Sequence, residues 1–400
     1  MRCGFRCRIL WIGLRPCINR SAILYLAQSS RGGTMMIEKG KIGVHQFTIL
    51  TILFTVGSSI LIAPSGLAQE AKQDAWIAAG VGLLAGLLLV VLYNKIAERY
   101  PTTTFVHYTQ EILGIWPGRI VSFLYFCYFF VLAALVLRNI GDFITTQILN
   151  NTPIHFIHIF FLIVIIMGIR NGLETCTRTA EIFMPWVLFF FFVMIVLLPP
   201  QFEPGHLTPV LGYGAKPVMR AALPVLGTPF MELVTVFMLF PYVNHSRKAR
   251  HAFLVGTLIG GGMLIVIVLL SILVLGEDLT ARHMYPSYSL AKKITIGTFL
   301  ERLEVVMAGI WFITIYFKLS ISFYASTMTF AELFRLKDAR QLYLPFGMIM
   351  IVFSIVAYPD VTYFMNFGTK IYFPYAIPYA VVFPLLILIV AVIRRKREPA

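Results

Sequence analysis

Four ionisable side chains stand inside long apolar stretches of this 400-residue chain: Arg138, Asp142, Glu232 and Lys318. Charge at bilayer depth is costly, and by default it marks a ligand, ion or proton site. Arg138 and Asp142 are four residues apart, so a helix puts them on one face, either neutralising each other or joining a larger charge network. Glu232 follows Pro229 by three residues. A carboxylate there can accept a proton, hold a ligand amine, or pair with a neighbouring span. Lys318 lies too deep in its stretch to snorkel to either face. A buried ammonium there can couple ligand binding to its own protonation. The alternative is a static salt bridge to Glu232 or Asp142.

Backbone chemistry is the second signal. One apolar stretch is interrupted by Val56-Gly57-Ser58-Ser59, with Pro64 following, and another by Gly227-Thr228-Pro229-Phe230. Proline removes a donor and disfavours helix in the residue before it. Unwound backbone exposes N–H and C=O groups that lipid cannot satisfy, so these segments must face a cavity. There a ligand carboxylate can take the N–H groups of a half-helix N-terminus, and freed carbonyls can take an ammonium. A zwitterionic amino acid suits both. Packing and kinking are the plainer use of such residues. Tyr128 can cover a ligand with its ring, and Tyr316 and Lys318 extend the candidate contact set along a third stretch.

The elements that position these residues follow from composition. Only 13% of the chain is charged and 58% is hydrophobic, whereas a soluble domain carries about 25% charged residues. Several apolar runs are long enough to cross about 30 Å of hydrocarbon as helices. A barrel would show alternating runs of about ten residues instead. The hydropathy predicts an all-α polytopic membrane protein of ten transmembrane helices: 44–67, 75–92, 120–148, 154–169, 182–198, 222–242, 252–275, 303–330, 342–357 and 373–393. With both termini cytoplasmic, the inner segments collect Arg247, Lys248 and Arg250, then Arg335, Lys337 and Arg340, then Arg394 to Arg397. This is the bias that the positive-inside rule requires. The net charge of +15 is therefore topogenic, and no nucleic-acid partner is expected. The breaks fall in the first and sixth spans. Ten spans thus divide into an inverted five-plus-five repeat, about 44–198 and 222–393, with the midplane site between the breaks.

Residues 1–35 form a basic extension without an acidic residue before Met36, read as a mis-assigned start or a disordered segment; the permease-like domain is 36–400. The spacing of Cys3, Cys7 and Cys17 matches no zinc pattern. The eight histidines, among them His158 and His206, scatter through span ends and loops without a nucleophile or metal partner. No phosphate-cradling or zinc-hydrolase motif occurs, so no enzyme, metal or cofactor is expected. Tyr363, Tyr372, Tyr375 and Tyr379 read as interfacial anchors. An interfacial helix is expected over 105–114, and the outer segment 277–298 is long enough for a lid.

From about Met36 onward the chain resembles the spore germination permeases, the B subunits of nutrient germinant receptors, within the amino acid/polyamine/organocation permease superfamily. The resemblance rests on His206-Leu207-Thr208-Pro209-Val210-Leu211-Gly212-Tyr213-Gly214, on Phe299-Leu300-Glu301-Arg302-Leu303-Glu304, and on Leu239-Phe240-Pro241-Tyr242-Val243. It implies an amino-acid permease-like fold with broken helices 1 and 6. It also implies a small-nutrient site between spans one, three, six and eight. The partners implied are an A subunit and a lipoprotein C subunit in the spore inner membrane. Two functions share that pocket: a germinant receptor subunit signalling to its partners, and a proton-coupled amino-acid transporter.

Overall fold

Residues 40–294 and 303–394 are described by a computed structural model of the chain. The N-terminal extension, Phe299 to Arg302, the end of the expected lid and Arg395 to Arg397 lie outside the described residues. Among the described residues the structure is helical throughout, apart from one isolated bridge between Ile42 and Val243. The first span is two half-helices, Val44–Val56 and Ser59–Ala71. The second is Ala75–Arg99, the third Ile115–Phe143 with a π-helical turn to Ile148, the fourth Ile154–Arg170 and the fifth Leu173–Leu197. The sixth runs from Ala215 to Phe237 through an irregular middle, the seventh is Ser246–Arg282, the eighth Glu304–Leu333, the ninth Arg340–Val356, and the tenth Tyr372–Ile393.

Several helices outrun their apolar stretches. The fifth begins at Leu173 rather than Ile182, and the seventh begins at Ser246 rather than 252. The helical geometry of the seventh breaks at Gly276, with φ 74° and ψ 171°, next to the expected end at 275, and a short helical segment continues to Arg282. Hydropathy marks the part of a helix that lies in lipid; the helix itself continues through polar turns, where residues such as Arg178, paired with Glu174 at 2.6 Å, favour it. The expected surface helix is present as Phe105–Leu113, with Phe105, Tyr108 and Ile112 turned inward. In the expected lid, Pro286–Lys292 forms a short helix against the outer half of the first span.

Close approach of the first and seventh spans depends on small residues four apart. A Cβ on Gly256 would lie 2.9 Å from the Thr48 carbonyl, and one on Gly260 would lie 2.8 Å from the Thr55 side chain. This Gly-xxx-Gly face lets two helices touch almost backbone to backbone. Beside it, Phe47, Tyr93, Phe237, Phe240 and Phe253 pack ring against ring and seal the inner half between spans one, two, six and seven.

Prolines leave carbonyls without partners, and side chains fill them. Pro64 has no N–H for the Ile60 carbonyl, and the buried Ser287 hydroxyl donates to it at 2.6 Å. Pro384 likewise cannot serve the π-helical turn Pro378–Val382. There Tyr125 donates to the Tyr379 carbonyl at 2.5 Å and Tyr93 to the Ala380 carbonyl at 2.9 Å. In lipid no water would replace these donors. Ser287→Ala should therefore lower stability by about 1–3 kcal/mol, the cost of a buried unsatisfied acceptor. Thermal unfolding of the purified protein measures it, and an unchanged midpoint would mean that the Ile60 carbonyl has another partner.

Candidate functional site

The first span breaks at Gly57 and Ser58. Gly57 has φ 21° and ψ −122°, and a Cβ there would run into the Lys318 side chain and come within 2.8 Å of the Phe54 carbonyl. Only glycine fits. Its N–H closes the inner half-helix on the Leu53 carbonyl at 2.9 Å, and its own carbonyl receives the Thr314 hydroxyl at 3.4 Å. Thr314 and Lys318 are four residues apart on the eighth span and share the face turned to the break. The sixth span loses helical geometry at Thr228, with φ −125° and ψ 112° inside a π-helical turn, Leu226–Phe230. Glu232 follows in a tight 3-10 turn.

Lys318 joins the two breaks. Its ammonium is fully buried, donates to Ser58 Oγ at 2.9 Å, and stands 2.5 Å from Glu232 Oε2. The Phe54 ring lies 5.4 Å from the same ammonium. Of the two partners the sequence allowed, the structure selects Glu232.

In front of this pair is a cavity of about 100 Å³. A water needs about 10–15 Å³ of such space, so several waters or a small solute fit. Ser58, Ser59, Thr228 and Glu232 give it a polar end, and Ile62, Leu132, Val136 and Val225 give it aliphatic walls. Two buried polar atoms of lining residues, Ser59 Oγ and Asn139 Oδ1, have no hydrogen-bond partner among the described residues. Buried polar atoms are ordinarily satisfied, so a ligand or water is the expected occupant opposite them.

The remaining candidates are placed as follows. Val56, Gly57, Gly227, Pro229 and Phe230 are buried around the breaks and do not line the cavity; Phe230 packs on Gly86 of the second span. Lys318 also stands behind the lining, reaching it through Ser58 and Glu232. Tyr128 is buried with its ring stacked 4.5 Å from that of Tyr379, and its hydroxyl interacts with Tyr372. Tyr316 is not brought to the cavity: its hydroxyl lies against Gly168 of the fourth span. Arg138 and Asp142 also stand apart from Lys318. The guanidinium bonds Asp142 at 3.0 Å and the Ser354 and Ile355 carbonyls at 3.3 and 2.9 Å, which caps the C-terminus of the ninth span. Tyr358 completes the cluster, donating to Asp142 Oδ2 at 2.6 Å.

Most of the lining escaped the sequence reading, Asn139, Phe364, Phe367 and Tyr372 among it. Tyr372, expected as an interfacial anchor, is buried in the cavity wall and interacts with Tyr128 and Glu232. Its position, three residues before Tyr375, gave no hint, because span ten carries no Gly/Ser/Pro cluster comparable to those of spans one and six. Asn139 did carry a signal, an amide within an apolar span beside Arg138. Among the described residues no cluster of three His, Cys, Asp or Glu side chains could hold a metal ion.

A buried ion pair is most sensitive to loss of one member. Lys318→Met should destabilise the protein by about 3–5 kcal/mol, because Glu232 is left charged and unpaired. Lys318→Met with Glu232→Gln should regain most of that loss. Thermal unfolding of both variants decides it, and a double variant no better than the single would remove the pairing from the account of stability.

The comparisons with known proteins agree with this geometry. Among solved structures, the fold matches Mhp1, a nucleobase-cation-symport-1 family transporter, with TM-score 0.64 and 14% identity over 90% of this chain and 80% of that one. It also matches MhsT in complex with L-phenylalanine, with TM-score 0.58 and 13% identity over 87% and 97%. The chain therefore has the fold of these transporters. Spore germination protein KB of Bacillus subtilis is 32% identical over 366 residues, 90% of this chain and 97% of the relative. Spore germination protein GerLB of Bacillus cereus is 26% identical over 89% and 96%. The family model for spore germination proteins matches residues 41–361. Among the described residues seven helical segments are long and apolar enough to cross a membrane, and three shorter apolar helices join them. With the permease-like fold and this match across most of its length, the chain is an integral membrane protein of the spore germination protein family.

Proposed function

We propose that the chain is the B subunit of a nutrient germinant receptor in the spore inner membrane, with both termini cytoplasmic. It binds a small ligand such as an amino acid in the cavity between the broken spans, and it signals the occupied state to an A subunit and a lipoprotein C subunit. The observation that carries this reading is the pair of unpartnered polar atoms, Ser59 Oγ and Asn139 Oδ1, on a cavity that ends at the Lys318–Glu232 pair. The outer half of the first span starts at Ser59, so its N-terminal N–H groups favour a ligand carboxylate. Glu232 offers acceptor capacity for an amine. The aliphatic walls favour an uncharged apolar side chain, since a polar one would be buried without partners.

The same pair supports a second reading, a proton-coupled amino-acid transporter. A carboxylate shared between Lys318 and a ligand amine would link binding to protonation. Binding and uptake of radiolabelled alanine and valine in liposomes holding this chain, with and without a pH gradient, separate the two. Saturable binding without accumulation is expected; gradient-driven accumulation would make the chain a transporter, and no binding of any amino acid tested would remove the amino-acid reading.

Gly57→Trp should abolish that binding while the chain still inserts, because any side chain there displaces Lys318. Normal binding by this variant would take the break in span one out of the site. Lys318→Met should flatten the pH dependence of binding, and an unaltered pH profile would leave Lys318 a structural role only.

A further inference from the structure

A second site lies at the inner ends of the first and seventh spans, away from the central cavity. There Val44, Thr48, Ala252 and Val255 line an open groove, and Arg247, Lys248 and His251 stand on its rim. The close contact of Gly256 with Thr48 bounds it toward the membrane interior. The Thr48 hydroxyl donates to the Val44 carbonyl at 3.2 Å, so its polar valence is used within its own helix and its methyl group is left for contact. The result is an apolar trough with a cationic edge.

The basic side chains on that edge are available. Arg247, Lys248 and His251 are exposed, and among the described residues no carboxylate pairs with any of them. The neighbouring groups are already engaged. Arg250 pairs with Glu98 of the second span at 3.0 Å, Glu181 of the fifth span stands 3.4 Å from His45, and Lys41 donates to the Pro241 carbonyl at 3.1 Å. The groove therefore presents concentrated, uncompensated positive charge directly beside a surface that suits an acyl chain.

We propose that this groove is a binding site for an anionic phospholipid. Its phosphate would lie between Arg247 and Lys248, and its acyl chain along Val44, Ala252 and Val255. Charge complementarity selects an anionic headgroup, and the apolar floor selects a lipid over a free anion. Basic pockets between transmembrane helices on the positively charged side of a membrane protein hold such headgroups, with each Lys or Arg near the surface contributing about five-fold in affinity. The inner half of the first span forms one wall, so an occupied groove holds that half-helix against the seventh span.

The test uses the full chain, purified in a neutral detergent and titrated with mixed micelles of phosphatidylglycerol or phosphatidylcholine. Retained lipid is counted by native mass spectrometry. The wild-type chain should retain phosphatidylglycerol in preference to phosphatidylcholine, and millimolar inorganic phosphate should not displace it. Arg247→Gln with Lys248→Gln should weaken retention on the order of ten-fold or more, while Arg335→Gln with Lys337→Gln, an equal loss of charge in another inner loop, should leave it unchanged. Val255→Trp keeps the charge and fills the trough, and it too should reduce retention, so the outcome does not depend on one variant folding. Equal weakening in the two charge variants, no preference between the lipids, displacement by phosphate, or unaffected retention in Val255→Trp would each overturn the proposal.

Discussion

Lys318 reaches from the eighth span to both interrupted helices, and its complete burial gives its charge no outlet except the groups around it. Those groups are Ser58 at the break in the first span and Glu232 just beyond the break in the sixth. Removing an ion from water costs several kcal/mol even after relaxation. The ammonium and the carboxylate thus fix each other's position, and with them the separation of the two breaks. The cavity exists where it does because this tie holds the irregular backbone on one side while aliphatic side chains from spans one, three and six enclose the other.

A related constraint governs the scaffold. At three places where a proline or a helix end leaves carbonyls unserved, a side chain from another part of the chain supplies the donor. Ser287 serves Ile60, Tyr125 and Tyr93 serve span ten, and Arg138 serves the end of span nine. Each bond satisfies a buried acceptor and also fastens two helices together. Arg138 and Asp142 belong to this scaffold class, since the geometry commits the guanidinium to backbone carbonyls and to Asp142, with the Tyr358 ring 4.6 Å away. Glu232 differs from them in lining the central cavity, with Lys318 directly behind it.

The proposed function rests on that difference. A cavity of this size with a polar end and apolar walls discriminates small solutes by matching a few hydrogen bonds and excluding polar side chains. Receptor and transporter need the same pocket and differ in what occupancy does next. In either case the response must pass through elements whose arrangement depends on the tie between spans one, six and eight, because a ligand shifts an equilibrium only through groups it contacts differently in the two states.

The sequence alone determined the helical membrane class, the ten spans and the two interruptions. Hydropathy and the positions of Gly, Ser and Pro are local properties, and the bilayer converts them directly into spans and breaks. Ser58, Ser59, Thr228 and Glu232, which line the cavity, were legible as candidates for the same reason: each sits at or just beyond a break. Only the tertiary structure decided which charges meet. Lys318 could have paired with Glu232 or Asp142, and helix packing chose Glu232, eighty-six positions away in the chain. Packing also carried Tyr372 from an expected surface anchor into the cavity wall and turned Tyr316 toward the fourth span. A residue's depth can be read from the apolar run around it, but the direction it faces is set by the helices it packs against, and a single chain's hydropathy holds no record of those neighbours.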